Sequence, residues 1–264
     1  SPSPKSFSKK TYFLRYQVGF SGDVNNLSWQ DLAFQPYFSM TATNVGYGFW
    51  SHDLVGPYND HEMHTRWLQW GAFSGASASF FICAPSTNMC VSVGVFRTHD
   101  RGMAVGDCAN DDPPTCAIVE VWKVPTQYFE ANKIAMVERV SLLPLIYTGY
   151  REAFETGLSL IRPMYYAYPE LPNAYAATPS SSSLSQYLFA SDDVMVAPIT
   201  APGDPQSSMA TKSVWIPPGT WVEKATGVVI TGRSDGTSIL TKAYDLKEIP
   251  IFIRGGAVIP SLEL

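Results

Sequence analysis

Two aspartates and a histidine each stand three residues after a short apolar stretch of this sequence. They are Asp23, Asp53 and His99. A carboxylate at the tip of a buried strand can transfer a proton or accept hydrogen bonds from hydroxyl groups. Gly22 lets the backbone turn sharply before Asp23 and adds no side chain that would shield the acid. These residue types and positions therefore indicate acid–base chemistry, or recognition of a polar ligand, at the ends of strands.

The apolar stretches before these residues have the character of short buried strands, and helix-like sequence separates the first two. Strands that alternate with helices are typical of a (β/α) barrel, in which the carboxyl ends of the strands build the active site. The same pattern also fits ordinary α/β connections in which the acids only begin helices. The pattern alone leaves both interpretations open.

Two helices are predicted around the second strand. The segment Asn25-Asn26-Leu27-Ser28 is placed to cap a helix that we expect Pro36 to interrupt. Asp60 is placed to cap another helix, whose apolar residues recur at helical spacing. Glu62 and Arg66 on that helix are four residues apart, a spacing at which an exposed ion pair contributes about 0.3 kcal/mol.

A longer helical pattern runs from about residue 125 to 156. Pro144 should kink or split this helix, and Gly157 is placed to end it. From about residue 190 the sequence changes to short apolar stretches separated by Pro-Gly, Asp-Gly and Gly-Gly turns, which indicates a small β-sandwich. The predicted strands of that region are 194–197, 212–216, 221–222, 228–230 and 249–253.

The histidines form neither a serine triad nor a metal motif. Ser51, His52 and Asp53 are consecutive, and side chains adjacent in sequence diverge from the geometry of a triad. We expect His52 to anchor a loop through a hydrogen bond. His61 and His64 are three residues apart, whereas the zinc-binding HExxH pattern places its histidines four apart. We therefore assign no metal and no cofactor.

Composition narrows the classes of partner. The 264 residues suffice for one large domain or two small ones. The net charge is −5, with no block of like charges, which argues against nucleic-acid and acidic-membrane binding.

The sequence has no apolar run long enough for a transmembrane helix. The four cysteines fall within residues 83–116 and leave loop disulfides and free thiols equally open.

The ordered motifs RYQVGFSGD, GYGFWSHDLVGP, HTRWLQWGAFS and VFRTHD resemble the second half of a glycoside hydrolase family 31 catalytic domain. That family contains α-glucosidases and α-xylosidases. The resemblance continues through LIRPMYY, DDVMVAPIT and WIPPGTW, and so covers nearly the whole chain after about residue 12. It implies the C-terminal part of a (β/α)8 TIM barrel at residues 13–189 and a small antiparallel β-sandwich at residues 190–264. Residues 1–12 are expected to be disordered or atypical.

The resemblance also implies roles for the candidate residues. Asp23 matches the acid/base of a retaining glycosidase, which hydrolyses a terminal α-glycosidic bond of an oligosaccharide. Asp53 and His99 match residues that bind the cleaved sugar. Phe20 and Trp50 are expected as pocket walls, where they would also desolvate Asp23 and raise its pKa. α-Glucosides are the expected substrates, with α-xylosidase or transglycosylase activity as alternatives.

Three departures from the family pattern lead us to expect a fragment. The family carries its nucleophile on an earlier strand, in a motif like Trp-x-Asp-Met-Asn-Glu; nothing in residues 1–22 resembles it, and no acid precedes Asp23. Phe7 stands where relatives usually have an arginine that contacts substrate. Residues 75–94 form an unusual insertion, interpreted as a lineage-specific loop or a retained intron. A catalytically inactive carbohydrate-binding remnant is therefore the alternative function.

Overall fold

A computed structural model of the chain describes residues 19–20, 28–48, 50–52, 60–77, 81–84, 89–92, 124–180 and 184–263. Within these ranges, helices dominate the first part and antiparallel strands dominate the second. None of the helices in the described ranges is long and apolar enough to cross a membrane. The α-helices are α1 (Trp29–Ala42), α2 (His61–Ala72), α3 (Thr126–Ser141) and α4 (Leu143–Thr156).

Three short parallel strands form a sheet in the N-terminal part. They are β1 (Gly19–Phe20), β2 (Trp50–His52) and β3 (Ala76–Ser77), in the order β1-β2-β3. Because α1 joins β1 to β2 and α2 joins β2 to β3, the chain makes two successive β-α-β units. The alternation predicted for the first two strands is therefore confirmed, whereas the third predicted strand, before His99, lies outside the described residues and closure into a barrel stays a prediction.

α1 begins at a capping box. Ser28 Oγ accepts a hydrogen bond from the backbone N–H of Asp31 at 3.2 Å, and the Asp31 carboxylate accepts one from the N–H of Ser28 at 3.1 Å. The predicted cap is confirmed, but the predicted interruption at Pro36 is wrong because the helix continues through it. Proline removes one bond from the helical ladder. Pro36 is buried on the packed face of α1, and this packing maintains the helix.

Asp60 connects the first two helices. Its Oδ1 accepts a hydrogen bond from the backbone N–H of Met63 at 2.8 Å, so that Asp60 caps α2 as predicted. Its Oδ2 accepts a second bond, from the indole Nε1 of Trp29 at the start of α1, at 3.1 Å. One carboxylate therefore fixes the N-terminus of α2 against that of α1.

The long helical pattern is divided where the proline predicts. α3 ends and α4 begins around Leu142, and Pro144 is among the first residues of α4. At that position the missing N–H of proline has no partner to lose. Gly157 adopts the left-handed conformation with φ 85°, and its N–H donates to the carbonyl of Ala153 at 2.9 Å. Both predictions for this helix are confirmed.

The segment interpreted as an insertion contains ordered strands. β3 lies in it and pairs in parallel with β2, while β4 (Phe81–Ala84) and β5 (Met89–Ser92) form an antiparallel hairpin. The segment is therefore not devoid of secondary structure, and its interpretation as an insertion, whether a lineage-specific loop or a retained intron, stays a prediction. The register of the hairpin sets Cys83 opposite Cys90.

The C-terminal part is built from antiparallel strands. A six-stranded sheet has the order β11-β10-β13-β8-β7-β6, and a two-stranded ribbon pairs β12 with β9. Two of these strands, β6 and β7, precede residue 190, where the sequence places the domain boundary, and that division stays a prediction. The strands are β6 (Ile161–Pro163), β7 (Tyr187–Phe189), β8 (Val194–Val196), β9 (Ala210–Trp215), β10 (Gly219–Glu223), β11 (Val229–Gly232), β12 (Ile239–Tyr244) and β13 (Ile251–Arg254).

The six-stranded sheet is covered on both faces. Alternate residues of β7, such as Tyr187 and Phe189, belong to the hydrophobic core shared with the helices. The intervening Leu188 belongs to a second core, which includes Trp215 of β9 and Trp221 of β10. Because successive strand residues point to opposite faces, the sheet lies between the helices on one side and the β9–β12 ribbon on the other.

Candidate active site

The parallel pairing of β1 and β2 places the carboxyl ends of both strands, after which the candidate residues follow in the sequence, at the same edge of the sheet. Parallel strands end at the same edge of a sheet, and β1 and β2 end at Phe20 and His52. Asp23 follows the end of β1 by three residues, and Asp53 follows β2 directly. Asp23, Asp53 and His99 lie outside the described residues, so their predicted roles stay predictions.

The two predicted aromatic wall residues lie in neighbouring strands. Phe20 is aligned with Ser51, and Trp50 is aligned with Gly19. Phe20 and Trp50 are therefore one residue apart in register, with Phe20 at the carboxyl end of its strand and Trp50 at the start of its own. The backbone brings these strands together as the sequence predicts, whereas the roles of the two side chains stay predictions.

His52, the last residue of β2, has a buried side chain. Its Nε2 lies 3.3 Å from Ser39 Oγ on α1, and its ring meets the ring of Trp70 on α2 edge to face, with centroids 4.4 Å apart. Burial lowers the pKa of His52 to about 3, so the ring is neutral at physiological pH. The predicted anchoring role is confirmed, and the anchor lies between the sheet and both flanking helices.

The segment that leads into β3 is fixed by three buried side chains. Arg139 Nη1 donates to the carbonyl oxygens of residues 72 and 74, at 2.9 and 2.8 Å. The Tyr187 hydroxyl donates to the backbone carbonyl oxygen of residue 73 at 2.8 Å, and the Tyr150 hydroxyl donates to the backbone carbonyl oxygen of residue 75. Carbonyls at the end of a helix have no intrahelical partner. Arg139, Tyr150 and Tyr187, here called the carbonyl clamp, supply these partners and hold the start of β3.

α2 is also attached to the C-terminal part through a buried arginine. The guanidinium of Arg66 donates to the backbone carbonyls of Asp245 and Glu248, each at 3.2 Å, and lies 3.7 Å from the carboxylate of Glu62. Burial lowers the pKa of Arg66 to about 10, which still leaves it charged at neutral pH. The sequence predicts only a weak exposed ion pair here, whereas Arg66 is buried and joins two parts of the chain.

The described residues offer no cluster for a metal ion. No group of three or more His, Cys, Asp or Glu side chains is close enough together in the part of the chain that the structure describes. His64 is buried, and burial lowers its pKa to about 4, while His61 packs against the ring of Tyr128. Both histidines contribute to the packing of α2.

Sequence reasoning missed most of the residues that support the site. Ser39 and the carbonyl clamp act on partners 13 to 114 positions away along the chain. A long-range contact of this kind leaves no local signal in one sequence. The only signal is indirect: Arg139 is a charged residue within an otherwise helical, partly apolar pattern.

Two domain models of one family match this chain. The TIM-barrel domain of glycosyl hydrolases family 31 matches residues 9–80, and the family 31 C-terminal domain matches residues 157–259. The first match contains β1, α1, β2 and α2, and the second contains the six-stranded sheet. The division between an α/β part and an antiparallel part therefore follows the two domains of the family.

Named relatives agree with these matches. The chain is 29% identical over 251 residues to alpha-glucosidase 2 of Bacillus thermoamyloliquefaciens, and the alignment covers 93% of this chain and 25% of that protein. It is 32% identical over 236 residues to a 1,6-alpha-glucosyltransferase of Sporosarcina globispora, and this alignment covers 84% of this chain and 14% of that protein. The chain thus spans a quarter or less of the length of these relatives.

Solved structures of the same family share the fold. A family 31 dextranase of Flavobacterium johnsoniae, complexed with glucose, matches 94% of this chain and 26% of its own with a TM-score of 0.68 and 25% identity. An alpha-xylosidase from a soil metagenome, complexed with xylose, matches 92% of this chain and 32% of its own, with a TM-score of 0.67 and 23% identity. Both domain models, the relatives and the fold lead to one conclusion: the chain belongs to glycosyl hydrolase family 31.

Proposed function

We propose that this chain contributes the acid/base and part of the sugar-binding site to a retaining glycosidase that hydrolyses terminal α-glucosidic bonds. The observation that carries the proposal is the parallel arrangement of β1 and β2, whose carboxyl ends lie at one edge of the sheet and are followed in the sequence by Asp23 and Asp53. The match of residues 9–80 to the family's TIM-barrel domain supports the same interpretation.

In the proposed mechanism Asp23 is the general acid and then the general base. It protonates the oxygen of the leaving group while a carboxylate nucleophile attacks the anomeric carbon, and it later takes a proton from the water that releases the sugar. Retaining enzymes hold the two carboxyl groups about 5 Å apart. We assign Asp23 to the acid/base role and assign no residue of this chain to the nucleophile.

Asp53 and His99 are proposed to bind the hydroxyl groups of the cleaved sugar, with Phe20 and Trp50 beside them. His52 supports the assignment of Asp53. Its side chain packs toward α1 and α2. The strand end that precedes Asp53 is thus held by both flanking helices, which supports a defined position for the start of the segment that carries this carboxylate.

The named relatives suggest which reactions to compare. They include an alpha-glucosidase, a 1,6-alpha-glucosyltransferase and a dextranase. Hydrolysis and transfer share the first half of a retaining mechanism and differ only in whether water or a sugar hydroxyl attacks the glycosyl intermediate. We propose hydrolysis of α-glucosides as the main reaction, with transfer to a sugar acceptor as the second candidate.

The test measures turnover and ligand binding separately. The glycosidase that combines this chain with the nucleophile is incubated with maltose, isomaltose and an aryl α-xyloside, and the products are separated to show glucose release or new oligosaccharides. Binding of 1-deoxynojirimycin is measured by calorimetry on the original protein and on Asp53→Ala, with Asp204→Ala as the control. Asp204 lies in an exposed loop.

Glucose release from maltose or isomaltose supports the proposal, and longer products support transfer. Inhibitor binding that Asp53→Ala abolishes, without turnover by the original protein, supports a carbohydrate-binding protein without catalysis. A protein that neither releases sugar nor binds the inhibitor contradicts the assignment of the site.

A further inference from the structure

A group of tyrosines is exposed around the turn that follows α1. Tyr47, Tyr166 and Tyr175 have 44, 39 and 55% of their surface exposed, and Tyr165 is half-buried among them. Asn44, also exposed, stands in the same turn as Tyr47. We call these five residues the tyrosine patch. Tyrosine rings are apolar with a polar tip, and exposed rings of this kind often mark binding surfaces.

The tyrosine patch is held in a defined geometry. The rings of Tyr165 and Tyr175 are stacked nearly parallel, with centroids 4.9 Å apart and 7° between their planes. The Asn44 amide nitrogen donates to the hydroxyl of Tyr165 at 2.6 Å, and the hydroxyl of Tyr166 donates to the Asn44 amide oxygen at 3.0 Å. Side chains that are already fixed lose little conformational entropy when a ligand binds.

A shallow depression adjoins this surface. It has a volume of about 280 Å³ and is lined by Phe38, Thr41, Ala42, Val45 and Tyr47. Tyr47 belongs to both the depression and the tyrosine patch. The combination of an aromatic lining with a small number of hydroxyl and amide groups is the chemistry of a small-molecule site.

The surface carries almost no charge. Residues 32–48, 163–169 and 171–177 contain no Asp, Glu, Lys or Arg, and the exposed Glu170 between the last two segments is their one charged neighbour in residues 163–177. Phosphates, nucleic acids and other anions need positive charge that is absent from these three segments. A neutral ligand with apolar faces and many hydroxyl groups fits the rings, the amide and the lack of charge together.

We propose that the tyrosine patch is a second carbohydrate-binding site, which takes a neutral oligosaccharide chain and lies apart from the catalytic edge. The proposal takes its ligand class from the proposed function. Residues 44–47 come before β2, whereas Asp53 comes after it. The patch therefore lies toward the amino end of β2, and the candidate active site lies at its carboxyl end, with about 10 Å of strand between them.

A second site of this kind increases the local concentration of a long substrate. A chain bound at the tyrosine patch has its other segments near the protein without occupying the catalytic edge. The site is expected to favour oligosaccharides and polysaccharides over single sugars, because stacking on several rings requires several sugar units.

The test is electrophoresis in native gels with and without soluble amylopectin or dextran, supplemented by calorimetry with maltoheptaose. The variants are Tyr175→Ala and Tyr47→Ala in the patch, and Asp53→Ala at the proposed active site. Tyr147→Ala is the matched control, because Tyr147 lies on α4 with 59% of its surface exposed. Circular dichroism establishes that each variant retains its fold.

The proposal predicts that each patch variant weakens polysaccharide binding about three- to tenfold and leaves binding of 1-deoxynojirimycin unchanged, while Tyr147→Ala binds the polysaccharide as the original protein does. Binding that only Asp53→Ala weakens overturns the second site and leaves the proposed function standing. Equal loss in Tyr147→Ala, or no binding by the original protein, also overturns the second site.

Discussion

Ser39 Oγ on α1 lies 3.3 Å from Nε2 of His52, the residue immediately before Asp53. This contact joins the first helix to the carboxyl end of the second strand. Both groups are buried, and Trp70 of α2 closes the other side of the imidazole. The end of β2 is therefore fixed by the two helices that flank it.

The burial of His52 predicts how stability changes with pH. The pKa of His52 is lowered from 6.5 to about 3, so between these pH values the unfolded chain takes up a proton and the folded protein does not. His52 therefore lowers the free energy of unfolding by up to about 1.4 kcal/mol for each pH unit below 6.5, and His64, whose pKa is lowered to about 4, adds a second contribution of the same sign down to that pH. Urea unfolding from pH 7 to 4 measures this slope. His52→Gln should reduce the slope, and His61→Gln is the control; equal slopes for the original protein and His52→Gln contradict the account.

Because of the carbonyl clamp, removal of a single hydroxyl group should lower the free energy of unfolding. Tyr187→Phe leaves the ring in place but deprives the buried carbonyl of residue 73 of its donor. We expect the free energy of unfolding to fall by about 1–2 kcal/mol. The exposed Tyr147 provides the control, since Tyr147→Phe should change stability by less than about 0.5 kcal/mol. Equal effects of the two substitutions would exclude the clamp as a stabilising element.

Arg66 and Arg151 form a matched pair of tests. Each arginine is paired with a glutamate four residues away on its helix, but the side chain of Arg66 is buried and that of Arg151 is 62% exposed. Arg66→Ala also removes the donors to the loop at 245–248, so we expect a loss of about 2–4 kcal/mol.

Arg151→Ala should cost less than about 1 kcal/mol. Chemical unfolding of both variants, followed by tryptophan fluorescence, provides the comparison. A cost at Arg66 as small as that at Arg151 would show that the contact with the C-terminal part contributes little to stability.

Local signals in the sequence predict helix ends well. Ser28, Asp60 and Gly157 act within four residues of themselves, and each caps the helix that it was expected to cap. Pro36 shows the limit of this reasoning. Its local effect opposes the helix, but its burial against the rest of the fold decides the outcome, and the sequence alone does not reveal that burial.

Contacts between distant segments could not be predicted. Arg66 looks like a surface residue in sequence because its glutamate neighbour suggests an exposed pair, yet its main partners lie near residue 245. The sequence does not predict β12 because its residues are mostly half-exposed or exposed, so they form no apolar stretch. In the described residues β12 pairs only with β9. Of the candidate site, the sequence predicts β1 and β2, while β3 and the helix-borne anchors of His52 come only from the structure.

The assignment of Asp23 as the acid/base is tested most directly by comparing two substrates with different leaving groups. The kcat/KM values for maltose, which needs protonation of its leaving group, and for α-glucosyl fluoride, which does not, are measured in the retaining glycosidase that combines this chain with the nucleophile, with the original sequence and with Asp23→Ala or Asp204→Ala. We predict that Asp23→Ala lowers the maltose rate about 100- to 10,000-fold and affects glycosylation by the fluoride far less. Asp204→Ala should leave both rates unchanged. A maltose rate for Asp23→Ala equal to that of the original protein would contradict the assignment.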